Sequence, residues 1–125
     1  AVYESFQILL NEGDEVITQA FTFVATVEAI IESRATPVCA EIDATLNLDP
    51  ADLARRITPR TKAVIAVHML GTPARLREIQ AVCDQHGVAL IEDTAWGLGG
   101  ALLLSGAGLV ALRRRPRAIT PGSTV

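Results

Sequence analysis

The chain of 125 residues is half hydrophobic and only 4% aromatic, which allows one domain, or a piece of one, with a core of small aliphatic side chains. Its net charge of −3 gives no reason to expect a nucleic acid as a partner. The longest apolar run, residues 101–112, is interrupted by Ser and Gly and is too short to span a bilayer. No signal-like segment precedes it. We therefore expect a cytoplasmic protein with no membrane partner.

Short β-type runs alternate with helical patterns along the first hundred residues. A helical pattern in residues 2–10 comes first, and the apolar runs that follow are bounded by turn residues. These runs are Glu15–Thr18, Pro37–Ala40, Ala63–Val67 and Val88–Ile91. The alternation predicts an α/β fold of three layers, in which a mostly parallel sheet lies between helices.

Two helices are predicted between the first three runs. The first follows Thr22, which can cap it, and the second begins at Asp49–Pro50, since Asp favours the N-cap and Pro the first helical position. Asp52 lies in the first turn of this second helix, where an acidic residue is favourable. The first helix has apolar side chains at helical spacing, at Val24, Val27, Ile30 and Ile31.

A third helix is predicted to begin at Thr72–Pro73 and to end at Gly87. Cys39 falls in the second predicted strand and Cys83 in this helix, and neither has a partner at metal-ligand spacing. We therefore predict buried, reduced thiols and no metal site. The apolar face of the third helix consists of Leu76, Ile79, Val82 and Cys83.

Asp93 is the most informative residue, because it delivers a carboxylate at the C-terminal end of a predicted parallel strand. Open α/β sheets bind ligands at that edge. A carboxylate there can hold a protonated ring nitrogen or a metal, orient a polar substrate group, or simply cap the turn after the strand. The pair Glu41 and Asp43 lacks a third ligand and is more typical of a solvated turn than of a cation site.

Seven short strings occur in one order and spacing that resembles the DegT/DnrJ/EryC1/StrS family of pyridoxal-phosphate-dependent aminotransferases. The resemblance covers roughly residues 1–100 and implies the large cofactor domain of the aspartate-aminotransferase-like fold, fold type I. These enzymes mostly make amino sugars for polysaccharides, lipopolysaccharides and antibiotics. The strings are Gly13–Ile17, Phe21–Thr26, Glu41–Asp43, Leu46–Pro50, Ile57–Ile65, Val67–Gly71 and Ile91–Ala95.

The resemblance implies cofactor-binding roles for three residues. Asp93 would keep the proton on the pyridine nitrogen of the cofactor, and Phe23 would stack on its ring, although Phe23 could also be a core residue. Trp96 stands where the family often has Gln or His reaching toward the ring oxygen. A Trp can donate one hydrogen bond there but cannot accept one, and it could equally be a packing residue. His68, at the end of the third strand, is given no chemical role.

Two features of the family have no counterpart in the sequence. The family has a lysine downstream of the Asp93 motif, which forms a Schiff base with the cofactor. The only lysine here, Lys62, is predicted at the opposite edge of the sheet, so no catalytic residue is assigned. The Gly-Ser/Thr turn that binds the cofactor phosphate would precede Ala1. We expect weak binding of pyridoxal phosphate and little or no activity.

The charge distribution predicts a boundary near Gly100. Residues 1–100 contain all 14 acidic residues and 7 basic ones, whereas residues 101–125 contain four arginines and no acid. The second segment also shows no clear helical or strand period. We therefore predict a partial cofactor domain in residues 1–100, and in residues 101–125 an aberrant tail that is disordered or frameshifted.

The resemblance thus implies a fragment of an aminotransferase that acts on keto-sugar nucleotides with an amino-acid donor, from a parent protein that forms homodimers. Two alternatives stay open. One is a non-catalytic remnant or interaction module with the same fold. The other is a sugar dehydratase that uses pyridoxal phosphate without the lysine, but such an enzyme needs a His at the lysine position, and no His follows His86.

Overall fold

A computed structural model describes residues 10–93 and the backbone of residues 110–113, and these residues form one five-stranded sheet with helices on both faces. The strand order is β2-β1-β3-β4-β5. Strands β1 to β4 are parallel and β5 runs antiparallel to β4. The predicted α/β fold with a mostly parallel sheet is confirmed. The elements are β1 Glu15–Gln19, α1 Val24–Glu32, β2 Thr36–Ala40, α2 Pro50–Arg56, β3 Thr61–Val67, a 3₁₀ turn Met69–Gly71, α3 Leu76–His86, β4 Ala89–Asp93 and β5 Val110–Arg113.

Two hydrophobic clusters lie on opposite faces of the sheet because successive strand side chains point in opposite directions. One cluster joins α1 to the sheet through Ile30, which packs with Ile65 of β3 and Ile91 of β4. The other joins α2 and α3 to the opposite face, where Leu53 and Ile79 pack with strand residues. The central strands are therefore covered on both faces, as the aliphatic composition predicted.

Helix α1 forms where it was predicted, but it presents a different face to the sheet. Its buried residues are Thr26, Ala29 and Ile30, whereas Val24 and Ile31 are 64% and 57% exposed. Apolar residues occur all round this helix, so their periodicity does not select one face. Thr22 is not the cap either, because the N-cap position is Phe23 and no side chain caps the helix.

Helix α2 begins as predicted, at an N-cap Asp49 whose side chain accepts the Ala51 N–H at 3.0 Å. Helix α3 has the predicted apolar face and ends at Gly87, which is left-handed with φ 63°. Its start is later than predicted, at Leu76 instead of Thr72–Pro73. The Ala74 N–H donates to the His68 ring at 3.0 Å, so the chain before Leu76 follows a turn and not a helix.

The two cysteines differ in exposure, and the prediction of two buried thiols is wrong for one of them. Cys83 is buried, and burial raises the pKa of its thiol to about 12. Cys39 is exposed on β2, an edge strand of the sheet. The helix predicted in residues 2–10 lies outside the described residues, apart from Leu10. Within them, no helix has the length and apolarity to cross a membrane.

Candidate functional site

The C-terminal ends of the parallel strands form the candidate site. Strands β3 and β4 pair in a register that sets Val67 beside Asp93, so these two strands end level with each other. Lys62 lies near the start of β3 and is therefore at the opposite edge of the sheet, as the sequence predicted. Ligands of open parallel sheets bind at the edge that holds Asp93.

Asp93 is buried, with 8% of its surface exposed, and its side chain lies on the α1 face of the sheet. The Thr26 hydroxyl, in the first turn of α1, donates to Asp93 Oδ2 at 3.5 Å. The backbone of Asp93 contributes as well, because its carbonyl accepts the His68 N–H at 3.2 Å. A buried carboxylate at the ligand-binding edge favours a cationic or proton-donating partner.

Phe23 lies at the N-terminal end of α1 and is 55% exposed. It is therefore not the core residue that was the alternative in the sequence interpretation. The Phe23 carbonyl accepts the Thr26 N–H at 3.1 Å, so the same threonine contacts both Phe23 and Asp93. The structure brings these two predicted site residues to one end of α1, whereas Trp96 lies outside the described residues.

The hydroxyl of Thr22, next to Phe23, is buried and has no hydrogen-bond partner among the residues that the structure describes. A buried hydroxyl without a partner costs free energy, on the order of 1–3 kcal/mol. This unpartnered donor belongs to the residue that precedes Phe23 in the chain, and a polar ligand atom that reached it would stabilise the fold.

Glu92 precedes Asp93 but faces the other side of the sheet, toward His68. Both side chains are buried, and His68 Nε2 lies 3.8 Å from Glu92 Oε2. Since His68 Nδ1 accepts the Ala74 N–H, the ring proton is on Nε2, which faces the carboxylate. His68 thus orders the turn before α3.

Two buried amides organise the loops around the site, and sequence reasoning missed both. Gln19 donates to the carbonyls of Phe21 and Leu46 at 3.0 and 3.3 Å, and its oxygen accepts the Val67 N–H at 3.1 Å. Asn47 accepts the N–H of Met69 and donates to the carbonyl of Thr72, both at 2.9 Å. The one available signal was for Gln19, an amide side chain at the end of an apolar run, where a polar residue is fully buried only if it is paired.

Asp43 belongs to the loop on this edge and not to a metal site. Its burial raises the pKa of the carboxyl, but bonds from Thr45 and the positive charge of Arg75 outweigh this and leave the pKa lowered. The Arg75 guanidinium is 3.9 Å from the Asp43 carboxylate. No group of three or more His, Cys, Asp or Glu side chains within the described residues is arranged to hold a metal ion.

Comparison with known proteins gives the site a context. The model of the DegT/DnrJ/EryC1/StrS aminotransferase family matches residues 3–108. GDP-perosamine synthase of Vibrio cholerae is 43% identical over 94 residues, which are 74% of this chain and 26% of that protein. The UDP-N-acetyl-3-dehydro-alpha-D-glucosamine 3-aminotransferase of Acidithiobacillus ferrooxidans is 42% identical over 100 residues, which are 79% of this chain and 27% of that protein.

Solved structures show the same fold. NtdA from Bacillus subtilis with the bound cofactor PMP superimposes with a TM-score of 0.74 at 32% identity, over 78% of this chain and 23% of that chain. The fold is that of fold type I aminotransferases, as the sequence predicted. The chain spans about a quarter of the length of these relatives.

The side chains at the edge suit a pyridine cofactor. A ring nitrogen that carries a proton needs an acceptor, and Asp93 is a buried carboxylate at the ligand-binding edge. A planar ring needs an apolar surface, and Phe23 exposes an aromatic ring at the adjoining end of α1. The unpartnered Thr22 hydroxyl adds a donor. The residues present therefore fit the group that the resemblance implies.

Proposed function

Because the chain belongs to the DegT/DnrJ/EryC1/StrS aminotransferase family, we propose that residues 10–93 form the part of a pyridoxal-phosphate-dependent sugar aminotransferase that holds the cofactor ring. The observation that carries the proposal is Asp93, a buried carboxylate at the C-terminal edge of β4. It lies beside the end of α1 where Phe23 is exposed. This edge is the ligand-binding edge of open parallel sheets.

Each site residue has a distinct proposed role. Asp93 would accept a hydrogen bond from the ring nitrogen and keep its proton in place, since a neighbouring carboxylate favours the cationic form. Pyridoxal phosphate with a protonated ring withdraws electrons from the reacting carbon, which is what amino transfer requires. Phe23 would cover one face of the ring. Trp96 is proposed as a further cofactor contact through its indole N–H.

The proposed substrates of the whole protein are a keto-sugar nucleotide and an amino-acid donor. This part of the proposal is supported by the relative from Acidithiobacillus ferrooxidans, whose name specifies a 3-dehydro sugar linked to UDP. Homodimer formation by the whole protein is proposed as well, as the family resemblance implies.

We further propose that the 125-residue polypeptide by itself has little or no transaminase activity. Its single lysine, Lys62, is exposed near the start of β3, at the other edge of the sheet from Asp93. A lysine in that position cannot reach a group held at Asp93 and cannot move protons there. Because Lys62 cannot form a bond with the cofactor there, the affinity for the cofactor depends on contacts with its ring, and we expect weak binding.

The test is binding of pyridoxamine phosphate, a form of the cofactor that cannot condense with Lys62. Wild-type protein and Asp93→Asn are titrated, and binding is followed by calorimetry and by the absorption of the ligand. We expect wild-type protein to bind weakly and Asp93→Asn to bind about 10- to 100-fold more weakly, because a hydrogen bond to a charged group contributes about 1.5–3 kcal/mol.

Glu28→Gln is the control, since it removes a carboxylate from the exposed side of α1. Its affinity should equal that of the wild-type protein. Equal affinities of wild-type protein and Asp93→Asn would disprove the role of Asp93. Absence of any binding by folded wild-type protein would instead favour the non-catalytic remnant or interaction module.

A further inference from the structure

We infer that Thr26 is a positioning residue for Asp93, whose carboxylate it holds through its side-chain hydroxyl. The inference rests on the proposed function of Asp93 and deepens it, because a carboxylate that guards a ring proton must keep one orientation. Thr26 and Asp93 are 67 residues apart in sequence, so the contact exists only in the folded chain.

Burial singles out Thr26 within its helix. The residues of α1 that contact the sheet are Thr26, Ala29 and Ile30, and Thr26 is the one polar side chain among them, with 3% of its surface exposed. A hydroxyl buried against a sheet costs free energy unless it is bonded. The Asp93 carboxylate is the acceptor that satisfies it.

The direction of the bond follows from the chemistry of the two groups. An ionised carboxylate can only accept, so the threonine hydroxyl must donate. A threonine within a helix commonly donates to the carbonyl four residues earlier, but the hydroxyl of Thr26 donates to Asp93 Oδ2 at 3.5 Å. A donor on Oδ2 opposes rotation of the carboxylate away from α1.

Thr26 also connects the carboxylate to the proposed stacking residue. Its backbone N–H donates to the Phe23 carbonyl at 3.1 Å, while its side chain contacts Asp93. One residue in the first turn of α1 therefore fixes the acceptor for the ring nitrogen relative to the aromatic side chain. Loss of the hydroxyl should disturb the first of these groups and leave the second in place.

The experiment compares Thr26→Val, which keeps the branched shape without the hydroxyl, with Thr26→Ser, which keeps the hydroxyl. Pyridoxamine phosphate is titrated into each 125-residue chain, and the absorption of the bound ligand reports protonation of its ring. We expect Thr26→Val to bind about tenfold more weakly, at the low end for a hydrogen bond to a charged group, with the spectrum shifted toward the unprotonated ring. Thr26→Ser should restore most of the affinity and the wild-type spectrum.

Thr18→Val is the matched control, because Thr18, like Thr26, is a buried threonine. Its hydroxyl donates to the backbone carbonyl of Ile65 at 3.3 Å and not to Asp93. This variant should bind with wild-type affinity and spectrum, and thermal unfolding of each variant shows whether it is folded. Wild-type binding by Thr26→Val, or failure of Thr26→Ser to restore it, would overturn the inference. If Asp93→Asn binds like the wild-type protein, the proposed function itself has failed.

Discussion

Glu92 and Asp93 are adjacent in sequence, but their carboxylates lie on opposite faces of the sheet. Strand geometry sends Asp93 to the α1 face and Glu92 to the opposite face, where it lies near His68. The separation keeps two negative charges from sharing one buried site, where they would repel each other. Asp93 therefore lies on the face of the proposed ring site, while Glu92 belongs to the support of the turn after β3.

Asp52 is a third buried carboxylate, and its contacts indicate a structural role. Asp52 Oδ2 accepts the Glu41 N–H at 2.7 Å, and Arg55 and Arg56 of the same helix each lie 3.1 Å from the carboxylate. The bond from Glu41 lowers the pKa of Asp52 most, burial opposes it, and the two arginines lower it further. Asp52 thereby fastens α2 to the end of β2.

We predict that Asp52→Asn lowers the free energy of unfolding by about 2 kcal/mol at pH 6, the typical value for hydrogen bonds to a charged group. Since the pKa of Asp52 is lowered in the folded state, its stabilisation is fully present above its unfolded pKa of about 3.9 and is lost as pH falls through the folded value. Urea denaturation between pH 6 and pH 3 should therefore show the difference between the two proteins shrinking below about pH 4.

Glu28→Gln, which removes an exposed carboxylate, controls for net charge in this series. A difference between wild-type protein and Asp52→Asn that stayed constant down to pH 3 would show that the ionised form of Asp52 does not stabilise the fold.

The sequence marked Asp93 through a local pattern, the end of an apolar strand, and Phe23 through the family resemblance, and the cofactor roles of both stay predictions. It could not predict the partners of these residues. In the sequence, Thr26 looks like any other residue of an amphipathic helix, and Gln19 looks like a polar residue at the end of a strand. Their contacts join segments far apart in sequence, and such contacts depend on the sheet order and not on any local period.

At the scale of elements, strong local signals predicted several boundaries, and apolar periodicity predicted the buried face of α3 but not that of α1. The Asp49–Pro50 pair and Gly87 fix one end of α2 and of α3 because each residue suits one backbone conformation. Helix α1 carries apolar residues on every side, so tertiary packing chose its buried face. The start of α3 was predicted too early because the His68 ring accepts a hydrogen bond from the Ala74 N–H. This bond holds the segment before Leu76 in a turn.

Gly87 allows a test of how α3 is connected to β4. Its φ of 63° lies in the left-handed region, and the next residue, Val88, donates its N–H to the Cys83 carbonyl at 2.9 Å. We predict that Gly87→Ala lowers the free energy of unfolding by about 1 kcal/mol, since a Cβ is strained at this φ. For a domain of this size the unfolding temperature should fall by about 4–8 °C.

Gly87→Asn provides the comparison for this prediction, because Asn tolerates the left-handed conformation better than Ala does. Thermal unfolding should rank the wild-type protein first, Gly87→Asn second and Gly87→Ala last. Equal stabilities of all three would mean that the turn relaxes to another conformation in solution.

At the scale of the whole molecule, the two edges of the sheet differ in how they are protected. Strand β2 is one edge, and Pro37 within it removes a backbone donor, which discourages pairing with another chain. Strand β4 would be the other edge without β5, which pairs with it along Leu90–Asp93. The described backbone of β5 falls inside residues 101–125, the segment predicted to be an aberrant tail, and the boundary near Gly100 stays a prediction.

Truncation tests that boundary and the role of β5 together. We predict that a chain ending at residue 100 associates at high protein concentration, because it leaves the backbone groups of β4 without a partner strand. A chain ending at residue 113 retains β5 and removes only residues 114–125, so it is the matched control and should stay monomeric. Light scattering coupled to size-exclusion chromatography distinguishes the two. If both chains stay monomeric with equal unfolding temperatures, β5 adds nothing to the sheet, and the domain ends near Gly100 as the charge distribution predicted.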